Sequence, residues 1–315
     1  MLDINRTIAQ ELSVSPAQIE SVIKLIDEGS TIPFIARYRK EATGGLDDAQ
    51  LRTLEERLTY LRNLETRKAE VLNSIKEQGK LTEELRTAIE GATVMQRVED
   101  LYKPFKKKRA TRASKAREAG LEPLADLILT QARTGKSALE TAAAFVDAEG
   151  GFATAEAALQ GAKDIVAEVI ADDAEHTATL RAFTKKTAAM AVEATDGDEK
   201  SVYEPYYDFS EPAQRIPNHR VLAINRGEKE GKLRVRVRSD QDAAIGQLSR
   251  RIVRRNGVFA EALDEAIADS YKRLIAPSLE RELRSELTER AQADAIRVFA
   301  KNTESLLQQR PVKGA

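Results

Sequence analysis

Lys103 to Arg117 reads KPFKKKRATRASKAR, the segment where this chain concentrates charge of one sign. Lys103, Lys106, Lys107, Lys108, Arg109, Arg112, Lys115 and Arg117 supply eight cations with no acid among them. Cations this dense repel one another, so the block either stays solvated or meets an anion. The residues alone leave three readings open: a solvated loop, a phosphate contact, or a contact with an acidic protein surface. Phosphate contact through Lys would position a nucleic acid without reading its sequence. Phe105 is the one aromatic residue inside the block, so a base-stacking platform is not expected there.

Other residues that could do chemistry carry weaker signals. His176 and His219 lie far apart in sequence and have no ligand-spaced partners, so they read as surface, capping or packing residues and no metal site is expected. Gly135-Lys136-Ser137 matches the end of a phosphate-binding loop, but Thr130 stands where that motif needs a Gly, so the triplet reads as a helix junction. The acidic pairs Asp47-Asp48 and Asp172-Asp173 fall at helix starts or ends, where Asp47-Asp48 would meet the positive end of a helix dipole. RRIVRR brings Arg250, Arg251, Arg254 and Arg255 onto neighbouring faces of an expected helix, where they would pair with acids such as those of 193–211, a partner contact being the weaker option. Arg37, Arg39 and Lys40 follow the apolar PFIA and are expected to fix a helix–helix turn through hydrogen bonds. No catalytic constellation is legible, so the expectation is a protein that is not an enzyme and takes no cofactor or small-molecule substrate. A nuclease or other hydrolase is the remote alternative.

The elements that must position these residues are mainly helices. The 315 residues are 42% hydrophobic, 32% charged and only 5% aromatic, with no Trp, so the core must be built from Leu, Ile, Val and Ala. The net charge of −1 gives no global field toward nucleic acid, so any affinity has to be local. The absence of Cys fits a reducing compartment. No run approaches signal-peptide or membrane-span length, so the expectation is a soluble, cytoplasmic protein without a membrane partner.

Ser15, Pro16 and Gln18 start a helix carrying Ile19, Val22, Ile23 and Ile26, which Gly29 ends. Helicity should break at Pro33 and at Gly44-Gly45. From Asp47 a long helix runs toward Gln78 on a stripe including Leu51, Leu54, Leu58, Leu61, Leu64, Leu72 and Ile75. Further helices are expected at about 121–133, 137–149, 154–171, 176–194, 241–256 and 258–273, with a final long one from Pro277 to about Gln308. LRVRVR, Leu233 to Arg238, alternates with period two and is the best strand candidate, although no partner for it is evident. The fold class is therefore all-α for the most part, a multi-helix bundle with long central helices and at most a minor strand near 233–238. Residues 193–211 hold seven acids against one Lys, with Tyr203, Tyr206, Tyr207 and Phe209 interleaved. A boundary near Asp196-Gly197 would divide the chain into 1–195 and 196–315, the second part holding a hinge, the short strand and a helical connector.

Three segments carry a family resemblance. TIPFIARYRKEATGGLD at 31–47, PFKKKRATRASKAREAGLEPLAD at 104–126 and IPNHRVLAINRGEKEGKLRV at 216–235 occur in an order similar to the N-terminal half of the Tex family of bacterial transcription accessory proteins. The resemblance implies a helical N-terminal region with a helix-turn-helix-like module and a long central helix. It implies that an RNase-H-like domain regarded as lacking a working nuclease site would follow, then helix-hairpin-helix elements and an OB-fold RNA-binding domain. It also implies a role in transcription, with RNA or DNA as the partner, and RNA polymerase or the ribosome as further candidates. The leading expectation is a non-enzymatic nucleic-acid-associated scaffold. The alternative is a protein–protein interaction module without direct nucleic-acid contact.

Overall fold

The computed structural model describes residues 3–106, 110–148, 150–196, 201–254 and 257–309. It is mostly helical with one small sheet, and it divides into two compact units, Met1–Lys107 and Lys108–Ala315.

The first unit contains α1 (Ile4–Leu12), α2 (Pro16–Asp27), α3 (Ile32–Tyr38), α4 (Asp48–Glu77), α5 (Glu83–Glu90) and α6 (Met95–Tyr102). Ser15 and Gln18 form a reciprocal capping box that starts α2, and Asp47 does the same with Gln50 for α4. The α4 stripe buries Leu51, Leu54, Leu58, Leu61, Leu64, Val71 and Ile75 together with Ile8, Ile19, Val22, Ile35, Ile89 and Val98. Lys68 on the same stripe is also buried. Its ammonium donates to Glu65 Oε1 at 2.7 Å and to the Glu90 carbonyl at 2.9 Å, so the charge is paired and hydrogen-bonded. Pro33 does not break helicity as expected. It lies in the first turn of α3, where the amide that Pro lacks would have had no helical partner.

The second unit contains α7 (Arg112–Glu118), α8 (Glu122–Thr130), α9 (Ala138–Ala142), α10 (Ala155–Asp172), α11 (Ala174–Thr187), β1 (Ala189–Ala194), β2 (Asp208–Pro212), α12 (Asn218–Lys229), β3 (Leu233–Arg238), α13 (Gln241–Ile252), α14 (Ala260–Asp269) and α15 (Ala276–Leu307), with a π-helical segment Ser270–Ile275 joining the last two. The core of this unit is organised on α10, whose small residues Ala158, Gly161 and Ala162 allow close packing. A Cβ on Gly161 would stand 2.5 Å from Leu121 Cδ1 and 2.6 Å from Phe152 Cε1.

The sheet has the order β2-β1-β3, and both pairings are antiparallel. LRVRVR is a strand with the expected alternation, Leu233 and Val235 buried and Arg234, Arg236 and Arg238 exposed. Its partner is Ala189–Ala194, which reads as the end of a helix in sequence. The expected helix at 176–194 therefore stops at Thr187, because pairing on both sides of AMAVEA overrides its Ala-rich helix propensity. The expected helix at 137–149 also shortens: α9 is followed by a 3-10 turn at Ala143–Phe145, and Asp147 then bridges to Phe152. The compositional step near Asp196-Gly197 falls inside this unit, since β1 before it pairs with β2 and β3 after it. Gly197 itself lies outside the described residues.

Candidate nucleic-acid interface

The helical part of the basic block begins at Thr111. Its hydroxyl accepts from the Ser114 amide at 3.0 Å and the Ser114 hydroxyl accepts from the Thr111 amide at 2.9 Å, a capping box that starts α7. Ala113 and Ala116 face inward, and these thin side chains let α7 lie close to the small-residue face of α10. Spacing then places Arg112 and Lys115 on the exposed side, with Arg117 at the margin.

The cations of the block do not share one environment. Arg117 is held from α10, its Nη1 2.5 Å from Glu168 Oε2, with Glu122 farther away at 3.9 Å. Glu168 is buried and also accepts from the Thr111 hydroxyl at 3.4 Å, so one carboxylate ties both ends of α7. Arg112 reaches Asp164 at only 3.9 Å and remains largely exposed. Lys115 is exposed and has no ion pair among the described residues. In the first unit, Lys106 lies 2.5 Å from Glu99 and its ammonium sits 5.6 Å from the centre of the Tyr102 ring, while Lys103 opens a 3-10 turn, Lys103–Phe105. Lys107, Lys108 and Arg109 lie outside the described residues.

The carboxylates behind these cations respond to their surroundings. Burial raises the Glu99 carboxyl, but hydrogen bonds from Arg67 and Lys106 outweigh it, so its pKa is lowered overall. Asp164 goes the other way. Burial pushes its pKa up, Arg273 and Arg112 oppose the shift, and nearby Asp269 adds to it. A carboxyl with a raised folded-state pKa contributes most to stability in acid, and the contribution is lost as pH rises through that pKa. Asp164→Asn is therefore expected to leave stability within about 1 kcal/mol of the parent at neutral pH, unchanged or higher, and to show no gain in acid. Denaturant melts at acid and neutral pH check this, and a clear loss at neutral pH would contradict it.

Several of the remaining candidates have structural roles. The Ser137 hydroxyl caps α9 in a box with Glu140, and Gly135 takes φ +69° in the turn before it. The His176 amide donates to Asp173, the cap of α11, and His219 is exposed in the first turn of α12. Among the described residues, no group of three His, Cys, Asp or Glu could hold a metal ion. The expected pairing of RRIVRR with 193–211 does not occur among the described residues. Arg251 donates to the Thr179 hydroxyl and the Arg254 amide to Gln131, while Arg255 lies outside the described residues. Arg238 and Arg220 do meet that acidic stretch, at Glu193 (2.5 Å) and Glu211 (2.8 Å). The aromatic residues of the stretch belong to the sheet core: Tyr203 is buried and Tyr206, Tyr207 and Phe209 pack against it. Arg37, Arg39 and Lys40 make no side-chain hydrogen bond among the described residues and are exposed beside Phe34 and Tyr38. That aromatic–basic group is legible in IPFIARYRK, where Ile32 and Ile35 claim the inner face and leave Phe34 and Tyr38 outside. Among the described residues no helix is long and apolar enough to cross a membrane.

Comparison with known proteins gives a consistent result. Residues 2–76 match the Tex-like protein N-terminal domain and residues 134–299 match the Tex central region-like family. The chain is 45% identical over 315 residues to an uncharacterized Bacillus subtilis protein, YdcI, covering 99% of this chain and 44% of the relative. It is 43% identical to the transcriptional accessory protein Tex of Neisseria gonorrhoeae, covering 97% of this chain and 41% of that protein. It is 30% identical to the human S1 RNA-binding domain-containing protein 1, covering 99% of this chain and 33% of that protein. The chain thus spans less than half the length of these relatives.

Proposed function

Since the chain belongs to the Tex family, we propose that it is a cytoplasmic, non-enzymatic scaffold that docks nucleic acid through phosphate contacts in support of transcription. The observation that carries the reading is α7. Its capped helix is fixed to α10, and it presents Arg112 and Lys115 outward in a chain of nearly neutral net charge. The names of the relatives, a transcriptional accessory protein and an S1 RNA-binding domain-containing protein, fit this role. Lys107, Lys108 and Arg109 would extend the contact. Lys106 and Arg117 already face carboxylates of the chain and would contribute less.

The test changes Arg112 and Lys115 to Glu in one variant, and Lys106, Lys107, Lys108 and Arg109 to Glu in another. Duplex and RNA binding are then followed across salt concentration. For every cation that truly meets a phosphate, its removal should flatten the logarithmic salt dependence on duplex DNA by about 0.9. An unchanged slope in both variants would return the block to a solvated loop.

A second reading, a protein-contact module, is favoured by exposed Ile296, Phe299, Leu306 and Leu307 near the end of α15. Pull-down of RNA polymerase or ribosomes that survives nuclease treatment would support it over the first.

A further inference from the structure

We propose that Phe34 and Tyr38 form a stacking platform for the unpaired bases of a single-stranded nucleic acid, with Arg37, Arg39 and Lys40 receiving the adjacent phosphates. The proposal rests on the nucleic-acid reading above but uses different residues in the other compact unit.

The geometry follows from the helix period. α3 turns Ile32 and Ile35 into the core, so Phe34 and Tyr38, four residues apart, share its outer face. The two rings are 41% and 64% exposed, with centroids 5.3 Å apart and planes tilted by 46°. The Arg39 guanidinium lies 5.8 Å from the Phe34 ring centre, which extends the aromatic surface with a cation. Arg37, Arg39 and Lys40 are exposed and have no ion pair among the described residues, and Glu41 is the one acid between Ile32 and Leu46.

The turn after α3 is held in place. Thr43 is buried and donates to the Lys40 carbonyl, and Gln18 Nε2 donates to the carbonyls of Thr43 and Gly44 at 3.2 Å each. Gly44 has φ +65°, and a Cβ there would stand 2.5 Å from Gln18 Nε2, so the turn requires Gly. The cations are therefore fixed next to the rings rather than carried on a loose loop.

An apolar partner face would not call for three unpaired cations around two rings. An unpaired strand offers base faces and phosphates at alternating positions, matching both parts of the group. A duplex keeps its base faces stacked inside, so it would not use the rings.

The experiment uses the full chain and a short single-stranded oligonucleotide carrying a fluorescent adenine analogue whose emission falls on stacking. The parent protein should quench the analogue. Phe34→Ala with Tyr38→Ala should abolish the quench and weaken single-strand binding about tenfold or more. Tyr38→Phe should retain both, and duplex binding should be the same in all variants. Ile32 and Ile35 are untouched, so a thermal melt matching the parent checks folding. Absence of quenching by the parent, or equal single-strand affinity in the double-Ala variant, would overturn the platform. If the platform fails while the Arg112/Lys115 variant still flattens the duplex salt dependence, the phosphate-contact reading stands without it. If the parent binds neither strand form, both fail.

Discussion

Tyr271→Ala is expected to destabilise the second unit by about 3–5 kcal/mol, the range for deleting a fully buried aromatic ring. Tyr271 sits in the π-helical segment between α14 and α15 with no exposed surface, within the core that includes Leu248, Leu263, Ile267 and Ile275. Its hydroxyl is 3.0 Å from the Ser239 hydroxyl, just beyond β3, so the residue links the helical core to the sheet. Removing the ring leaves a cavity and also leaves Ser239 without that partner. Tyr271→Phe keeps the packing and removes only the hydrogen bond, which should cost about 1 kcal/mol. Denaturant unfolding followed by a probe in each unit checks both values. The loss should appear in the transition of the second unit, with its midpoint moved and its slope kept. A loss for Tyr271→Ala no larger than that for Tyr271→Phe would mean that the core refills the space.

How far such features can be read from sequence depends on whether their causes are local. The capping boxes Ser15–Gln18 and Asp47–Gln50 are written within four residues, and the α4 stripe within its own helix, so both are legible. LRVRVR announces itself by alternation. AMAVEA does not, because its strand state is imposed by Asp208–Pro212 and Leu233–Arg238, which lie well beyond any local window. β2 is hidden for a related reason: DFSEP sits in an acidic stretch, and only pairing with β1 makes it a strand. The same distinction applies to the candidate site. The charges between Lys103 and Arg117 are plain in the sequence, but the partner of Arg117 is 51 residues away on α10. Sequence therefore locates the block without showing which of its cations face solvent.

Arg117 provides the sharpest separation between structural and binding charge. Glu168 is buried, so Arg117→Ala would take the nearest guanidinium from a carboxylate inside the unit, with Arg273 remaining in its electrostatic surroundings. Breaking a buried pair from one side costs roughly 3–5 kcal/mol. Arg117 is about one-third exposed, so solvent screening brings the expected loss to about 2–3 kcal/mol. Replacing both partners, Arg117→Met with Glu168→Leu, removes the buried charge along with the guanidinium and should recover part of that loss, since the Thr111 hydrogen bond and the attraction of Arg273 are lost with Glu168. Equal losses for the single and double variants would mean that packing of the Arg117 side chain, rather than its charge, holds α7. The binding measurement then assigns the charge. At a temperature where Arg117→Ala is folded, the duplex salt dependence should match the parent, whereas Lys115→Glu should flatten it. If Arg117→Ala flattened it as much as Lys115→Glu, the ion pair with Glu168 would have to open on binding. The end of α7 would then be a contact made by exchanging a protein carboxylate for a phosphate.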